Sequence, residues 1–506
     1  MMQFTEISNF PTPNTISLHQ TTTMMNRIRP WPGFRTSKQN TSSSSSSSSL
    51  NNNNSINNYN LGDANCMEQL LVHCAQAIDN TDATPAQQIL WVLNNIAPPD
   101  GDSNQRLTRA FLRALILRAA RTPACKFILN SATSNNNNNG NNITTSMTIT
   151  SNSNNANNSN TSSSIACGMN LNIHKFSLLD LANFVHLTPW HRFGFTAANS
   201  VILEAIEGRT VVHIVDLSVT HCMQIPTLID SIATRYQGRQ PPTVTLTVGA
   251  FTQQGPPMFD FVCYDDLGVK LINFARSKGV VLEFKAVPTT PSDGFASVLD
   301  EVRTRQEQMR FLYGNPHHHH QEELEEEALI INCQMSLHYL NHVEPEEDPS
   351  VVMSMRSMFF KALRSLAPTM VVVVEEDVDF TSRNLVGRLR SAFNYFWIPF
   401  DTVDTFLPWG SKQREWYEAD ICWKIENVIS HEGDQRVERQ EPRTRWSQRM
   451  MEAEFRAVGF MGEAMTEVKA MLEEHATGWG SKKEEEDIVL TWKGHNVVFA
   501  TALVPS

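Results

Sequence analysis

No C-x-x-C pair occurs in this 506-residue sequence. Its eight cysteines stand apart, at 66, 74, 125, 167, 222, 263, 333 and 422, which argues against a zinc ribbon or a dithiol redox centre. Scattered cysteines in a large chain suit a reducing compartment, where most act as small apolar side chains. No apolar segment follows a basic start at the N-terminus, so a secretory signal is not expected. Nor does any apolar run approach the roughly 20 residues that span a bilayer. Asn-x-Ser/Thr triplets such as Asn142-Ile143-Thr144 then read as by-products of an Asn-rich composition. Together these absences predict a soluble intracellular protein with no membrane partner.

Positive charge is also short. Lys and Arg total 41 against 53 Asp and Glu, a formal net charge of −12. Residues 1–65 hold four basic and two acidic side chains, so the remainder is more acidic still, at −14. Such a chain does not coat nucleic acid indiscriminately; any DNA contact must come from a local basic patch.

Three stretches lack the apolar residues that a core requires. Residues 1–65 carry eight consecutive serines at 42–49 and four asparagines at 51–54, and 131–170 is mostly Asn, Ser and Thr. Both are expected to be disordered. The tract "NPHHHHQEELEEE" at 315–327 places four histidines beside five glutamates and reads as a solvated loop rather than a metal site.

Between the first two stretches lies a helical block. "CMEQLLVHCAQAI" sets Met67, Leu70, Leu71, Cys74, Ala77 and Ile78 on one face. Pro85 opens a second helix with Ile89, Leu90, Leu93 and Ile96, closed by Pro98-Pro99. A third, "RLTRAFLRALILRAA" at 106–120, turns Leu107, Phe111, Ala114 and Leu115 inward. These faces read first as bundle core, and second as a partner-binding surface on the exposed side of 66–96.

After 171 the pattern changes to short β-branched runs at 211–215, 244–248, 280–287, 328–332 and 370–375, spaced for crossover helices. That spacing predicts an α/β fold, Rossmann-like and methyltransferase-like, with a mostly parallel sheet. "DIVLTWKGHNVVFATAL" adds a C-terminal β-hairpin around a Lys-Gly turn.

The strand-to-helix crossing after "VVHIVD" is where such folds bind ligands. A nucleotide or S-adenosylmethionine needs glycines there, yet none stands between Gly208 and Gly238. The second strand ends in "VGAFTQQ", without the acid that would hold ribose hydroxyls. No cofactor is therefore expected. Convergence of Asp216, Ser218 and His221 with Glu375, Glu376 and Asp377 keeps an enzyme as the alternative reading; otherwise Asp216 caps the next helix or accepts backbone N–H bonds.

Segment 197–249, with Val212-His213-Ile214-Val215-Asp216 at its centre, resembles the VHIID region of the plant GRAS family of transcriptional regulators. Block 66–120 is similar to that family's first leucine-rich region, without an L-x-x-L-L motif, and 261–312 falls where the second belongs. Pro368, Tyr395-Phe396 and "RVERQE" at 436–441 resemble its PFYRE motif. Trp446, Arg449, Gly459-Phe460, Gly478-Trp479 and Trp492-Lys493-Gly494 resemble its SAW motif, with Leu503 in place of a final tryptophan. Many members carry glycine where this chain has Cys222, and 216–230 is most like the scarecrow-like and short-root group.

The resemblance implies a domain over 66–503. In it, 66–130 belongs to a helical cap, 131–170 is an insertion, and 171–503 is the α/β core with a cap insertion near 381–430. It also implies a non-enzymatic nuclear regulator. Its partners would be other GRAS proteins, as homo- or heterodimers, C2H2 zinc-finger transcription factors, and DNA directly or through them. His213, Asp216, Arg436, Arg439, Trp446 and Trp492 are expected to serve integrity. Arg443, Arg445 and Arg449, in a stretch of net charge +3, are candidates for DNA contact, with internal ion pairing as the competing reading. A methyltransferase-like enzyme using the Asp216 crossing is the rival.

Overall fold

A computed structural model of the chain describes residues 64–122, 177–251, 262–313, 327–340 and 353–506. The low-complexity expectations for 1–63, 131–170 and 315–326 lie outside these residues.

Three helices open the described chain: α1 (Ala64–Asp79), α2 (Ala83–Ile96) and α3 (Ser103–Arg121). Their inward faces follow the sequence periodicity, with Met67, Leu71, Cys74, Leu90, Leu93, Leu107, Phe111 and Leu115 buried. Asp102 starts α3 with a reciprocal capping box: its carboxylate accepts the Gln105 backbone N–H while the Gln105 side chain accepts its own. Next come α4 (Leu178–Leu187) and α5 (Pro189–Ala205), the latter with proline at its first position.

The core then alternates β1 (Val211–Asp216), α6 (Ile225–Arg235), β2 (Thr243–Phe251), α7 (Tyr264–Ser277), β3 (Leu282–Thr289), α8 (Ala296–Tyr313), β4 (Ala328–Gln334), α9 (Met355–Ser365) and β5 (Met370–Glu376). Two long helices follow, α10 (Leu385–Phe406) and α11 (Lys412–Ser430). Next are α12 (Arg443–Glu452), β6 (Phe455–Val458), α13 (Gly462–Glu473), β7 (Trp479–Glu484), β8 (Asp487–Trp492) and β9 (His495–Pro505).

The sheet runs β3-β2-β1-β4-β5-β9-β8-β7, with β6 also on β9. Strands β1 to β5 pair in parallel; β9 joins β5 antiparallel and ends the parallel series. This is the α/β, mostly parallel, Rossmann-like sheet that the sequence predicts. Strand β5 is buried at every residue, as a central strand covered on both faces must be. The hairpin turn falls on Lys493 and Gly494, both at positive φ, which matches the twist of a two-residue connection. Leu503, in the place of the family tryptophan, is buried in β9 opposite Val371.

Side chains alternate across the sheet. Val215, Ile331, Val371, Val373 and Phe499 enter one cluster with Val298 and Val302 of α8, Phe359 and Phe360 of α9, and Trp446 of α12. Each fully buried aliphatic or aromatic side chain there contributes about 1.5–3 kcal/mol. Helix α5 crosses the other face so closely that a Cβ on Gly194 would lie 2.8 Å from a Val374 methyl. Only glycine permits that approach.

Helices α10 and α11 pack on α1 and α3. Buried Arg106 of α3 ties them together, 2.7 Å from Asp404 and 3.2 Å from Glu418. With α2, which packs on α1 and α3, these helices form the cap.

Candidate functional site

Strand β1 ends on buried Asp216, whose Oδ1 accepts the Ser218 backbone N–H at 3.0 Å and the Asn332 side-chain amide at 3.1 Å. Its Oδ2 accepts the Ser218 hydroxyl at 3.2 Å. Asn332 also donates to Gln224 Oε1 at 2.9 Å, and Gln334 donates to the same oxygen at 2.5 Å. Gln224 in turn donates to Asn199 at 2.9 Å, and Asn199 to Thr227 at 3.0 Å. A chain of buried amides thus fills the crossing from β1 and β4 to α5 and α6. Burial raises the Asp216 carboxyl above its usual range, opposed by these hydrogen bonds.

The turn after β1 takes a left-handed backbone at two non-glycine residues, His221 (φ 49°) and Cys222 (φ 62°). Their side chains diverge. His221 Nδ1 meets the Tyr264 hydroxyl at 2.9 Å, and burial lowers its pKa to about 4. The Cys222 thiol hydrogen-bonds Asp216 and is held protonated by burial. No Cys–His dyad forms.

Nor do the acids at the end of β5 join them. Glu375 accepts the Leu337 backbone N–H at 2.7 Å and pairs with His338 Nδ1 at 2.8 Å. Asp377 accepts the Arg443 backbone N–H and the Asn496 amide. The convergence of Asp216, Ser218 and His221 with Glu375, Glu376 and Asp377 entertained from sequence is corrected: each set is bound within its own neighbourhood. The residues present do not fit S-adenosylmethionine. The turn has no glycine for backbone approach, and side-chain amides occupy the crossing. His213 is equally internal, with Nε2 on Thr247 Oγ1 at 2.8 Å and its pKa lowered by burial and by Arg305 to about 3.

The arginine stretch divides into buried and surface members. Arg449 is buried in a two-pronged pair with Glu441, both contacts 2.8 Å, and also donates to Ser354 and Ser357. Its carboxylate partner also faces Arg356 at 3.0 Å, and that guanidinium lies over the Trp446 ring. Arg443 is nearly buried among Glu484, Glu485 and Asp487 at 3.1, 3.3 and 2.9 Å. Arg436 is buried and Arg439 half-buried, both donating to backbone carbonyls. Arg445 is exposed. The expectation that Arg449 faces DNA is corrected, because its guanidinium is consumed by an internal carboxylate. Trp446 and Trp492 are fully buried, the latter donating to Asp401 at 2.7 Å.

One cavity of about 120 Å³ opens between the cap and the carboxyl ends of β4 and β5. Its wall is mostly aromatic and aliphatic, from α4, α5, α10 and α11. Its polar end gathers His338, Tyr339, Glu376, Asp420, Lys424 and Glu438. Glu376 accepts the Trp190 indole N–H at 3.1 Å and the Gln440 amide at 3.2 Å, and lies 3.7 Å from Lys424 Nζ. Glu438 accepts the Tyr339 hydroxyl at 3.2 Å and the Gln440 amide at 2.6 Å.

Asp420 Oδ1 and His191 Nδ1 are buried with no hydrogen-bond partner among the described residues, and so is His338 Nε2, which lies 3.8 Å from Glu438 Oε2. Burial pushes the Asp420 carboxyl up to about 7, against the pull of Lys424, with Glu438 and Glu376 adding to the rise. Burial beside Lys424 lowers His191 to about 4. Sequence reasoning flagged Glu376 but missed Asp420 and Lys424. Their signal was two charges one helical turn apart in the otherwise apolar "ADICWKI".

Among the described residues no cluster is suited to a metal ion, and no helix is long and apolar enough to cross a membrane.

The GRAS domain family model matches residues 67–503. Scarecrow-like protein 32 of Arabidopsis thaliana is 52% identical over 448 residues, covering 88% of this chain and 95% of that protein. Protein SHORT-ROOT of the same plant is 26% identical, over 88% of this chain and 74% of its own. Among solved structures, SCL7 of Oryza sativa aligns with a TM-score of 0.60 at 19% identity, covering 86% of this chain and 99% of the other. That likeness concerns the fold.

Proposed function

The chain belongs to the GRAS domain family, which comprises plant transcriptional regulators, and we propose that it works in the nucleus as a non-enzymatic regulator that binds protein partners through its cap. The partners are other GRAS proteins and C2H2 zinc-finger transcription factors, and DNA is reached mainly on their surface. The observation that carries this reading is Trp91, which stands 67% exposed on α2. The opposite face of that helix is fixed by buried Ala86, Leu90 and Leu93. Around Trp91 the outward residues Thr84, Gln88 and Asn95 are uncharged and exposed, a surface suited to a protein rather than to phosphates.

The arginine stretch supports tethering over direct reading, since Arg449 and Arg443 are held by acidic side chains of the protein itself. Titrating a zinc-finger partner into the wild-type chain and a Trp91→Ala variant tests the proposal. Affinity should fall about tenfold or more, with the melting temperature unchanged. Equal affinity would move the partner surface elsewhere. Selection from a pool of random duplexes at physiological salt tests the DNA half: tight enrichment of one motif by the chain alone would make it a direct reader.

A further inference from the structure

We propose that the cavity between the cap and the ends of β4 and β5 binds a small ring-bearing amine, with the ring among aromatic side chains and the ammonium group on Asp420. Nothing in the regulator reading requires this site.

Size sets the first limit. At about 120 Å³ the cavity approaches the roughly 150 Å³ that suffices for benzene in an apolar protein interior. Its wall supplies ring faces and edges from Phe184, Trp190, Phe406, Tyr417 and Trp423. Phe184 and Tyr417 pack against each other at 4.7 Å between centroids. Such walls hold flat rings and favour a cation beside them.

Charge sets the second limit. Glu376, Glu438 and Asp420 share the polar end with a single Lys424. A ligand carboxylate would be repelled by this desolvated group of acids, whereas an ammonium would offset it. Glu376 and Glu438 already accept hydrogen bonds from Trp190, Tyr339 and Gln440. Asp420 Oδ1 has no donor among the described residues. A buried acceptor without a donor is costly, so this atom is where a ligand N–H gains most. His191 Nδ1, also without a hydrogen-bond partner among the described residues, lines the same cavity and gives the ligand a second polar anchor.

The test uses the full chain at physiological salt with four probes: benzylamine, benzyl alcohol, benzoate and methylamine. Binding is read by calorimetry and by saturation transfer to the probe protons. Benzylamine should bind at one site with roughly millimolar affinity. Benzyl alcohol should bind about tenfold more weakly, and benzoate and methylamine not measurably. Asp420→Asn should bring benzylamine down to the level of benzyl alcohol. Four outcomes would overturn the proposal: no probe binding, which leaves a water-filled cavity only; benzoate matching benzylamine; methylamine matching it, which leaves surface charge only; or unchanged benzylamine affinity in Asp420→Asn. If that variant does not fold, the ranking of the four probes on the wild-type chain decides alone.

Discussion

The crossing behind β1 and the cavity beyond β4 and β5 are made of similar material, buried polar side chains at the carboxyl ends of parallel strands. At the crossing, hydrogen bonds link Asp216, Asn332, Gln334, Gln224 and Asn199 directly to one another. At the cavity, Asp420 Oδ1 and His191 Nδ1 have no hydrogen-bond partner among the described residues, although the space before them is lined by side chains from four helices. The first region uses neutral amides, each both donor and acceptor, so the groups can satisfy one another without a ligand. The second relies on carboxylates, which only accept, and on too few donors to serve them all. A doubly wound sheet offers several ligand positions along its edge. Here one is closed by complementarity, and the other stays open through a mismatch of donors and acceptors.

Breaking a buried ion pair sets the upper scale for that comparison. Arg449→Ala removes the two-pronged partner of buried Glu441 and should destabilise the chain by about 3–5 kcal/mol in denaturant unfolding. Opening the crossing comes next. Asn332→Ala removes donors from Asp216 and Gln224 and an acceptor from Gln334, which should cost about 2–4 kcal/mol by the same measurement.

The cavity should respond with the opposite sign. Asp420 has its folded pKa raised to about 7, so its stabilising share is complete below the unfolded value of 3.8 and is lost as pH rises through 7. Asp420→Asn should therefore raise the melting temperature at pH 8 and leave it nearly unchanged at pH 4. A loss of stability at pH 8 would show that Asp420 is paired after all. The histidines titrate the other way. His213 and His221 fall to about 3 and 4, so their contribution is full above 6.5 and is lost as pH drops through those folded values. Calorimetry near pH 5 should detect net proton uptake on unfolding. Trp91→Ala, smallest of all, should change stability by no more than about 0.5 kcal/mol.

Much of this was legible in the chain. Strands β1, β4 and β5 are nearly continuous apolar runs because both their faces are covered, and β5 reads as "VVVV" for that reason. Helices α1 and α3 were legible because one apolar stripe repeats every three to four residues. Strands β6 and β7 were not: "FRAV" is short, and "WGSKKE" is polar and half-exposed at the sheet edge. The crossing was legible through Asp216 and the missing glycines, but the amides that fill it come from α5, α6 and β4, and no local pattern joins them.

By itself, the order of apolar runs determined the strands, the helices and their succession along the chain, because burial acts on residues a few positions apart. The tertiary structure alone decided which polar groups were answered. Arg449 was as good a DNA ligand as Arg445 until Glu441 came within 2.8 Å of it. Asp420 was one more acid on a helix until folding buried its Oδ1 out of reach of any donor among the described residues. Hydrogen bonds and ion pairs act over a few ångströms, and only the fold sets those distances.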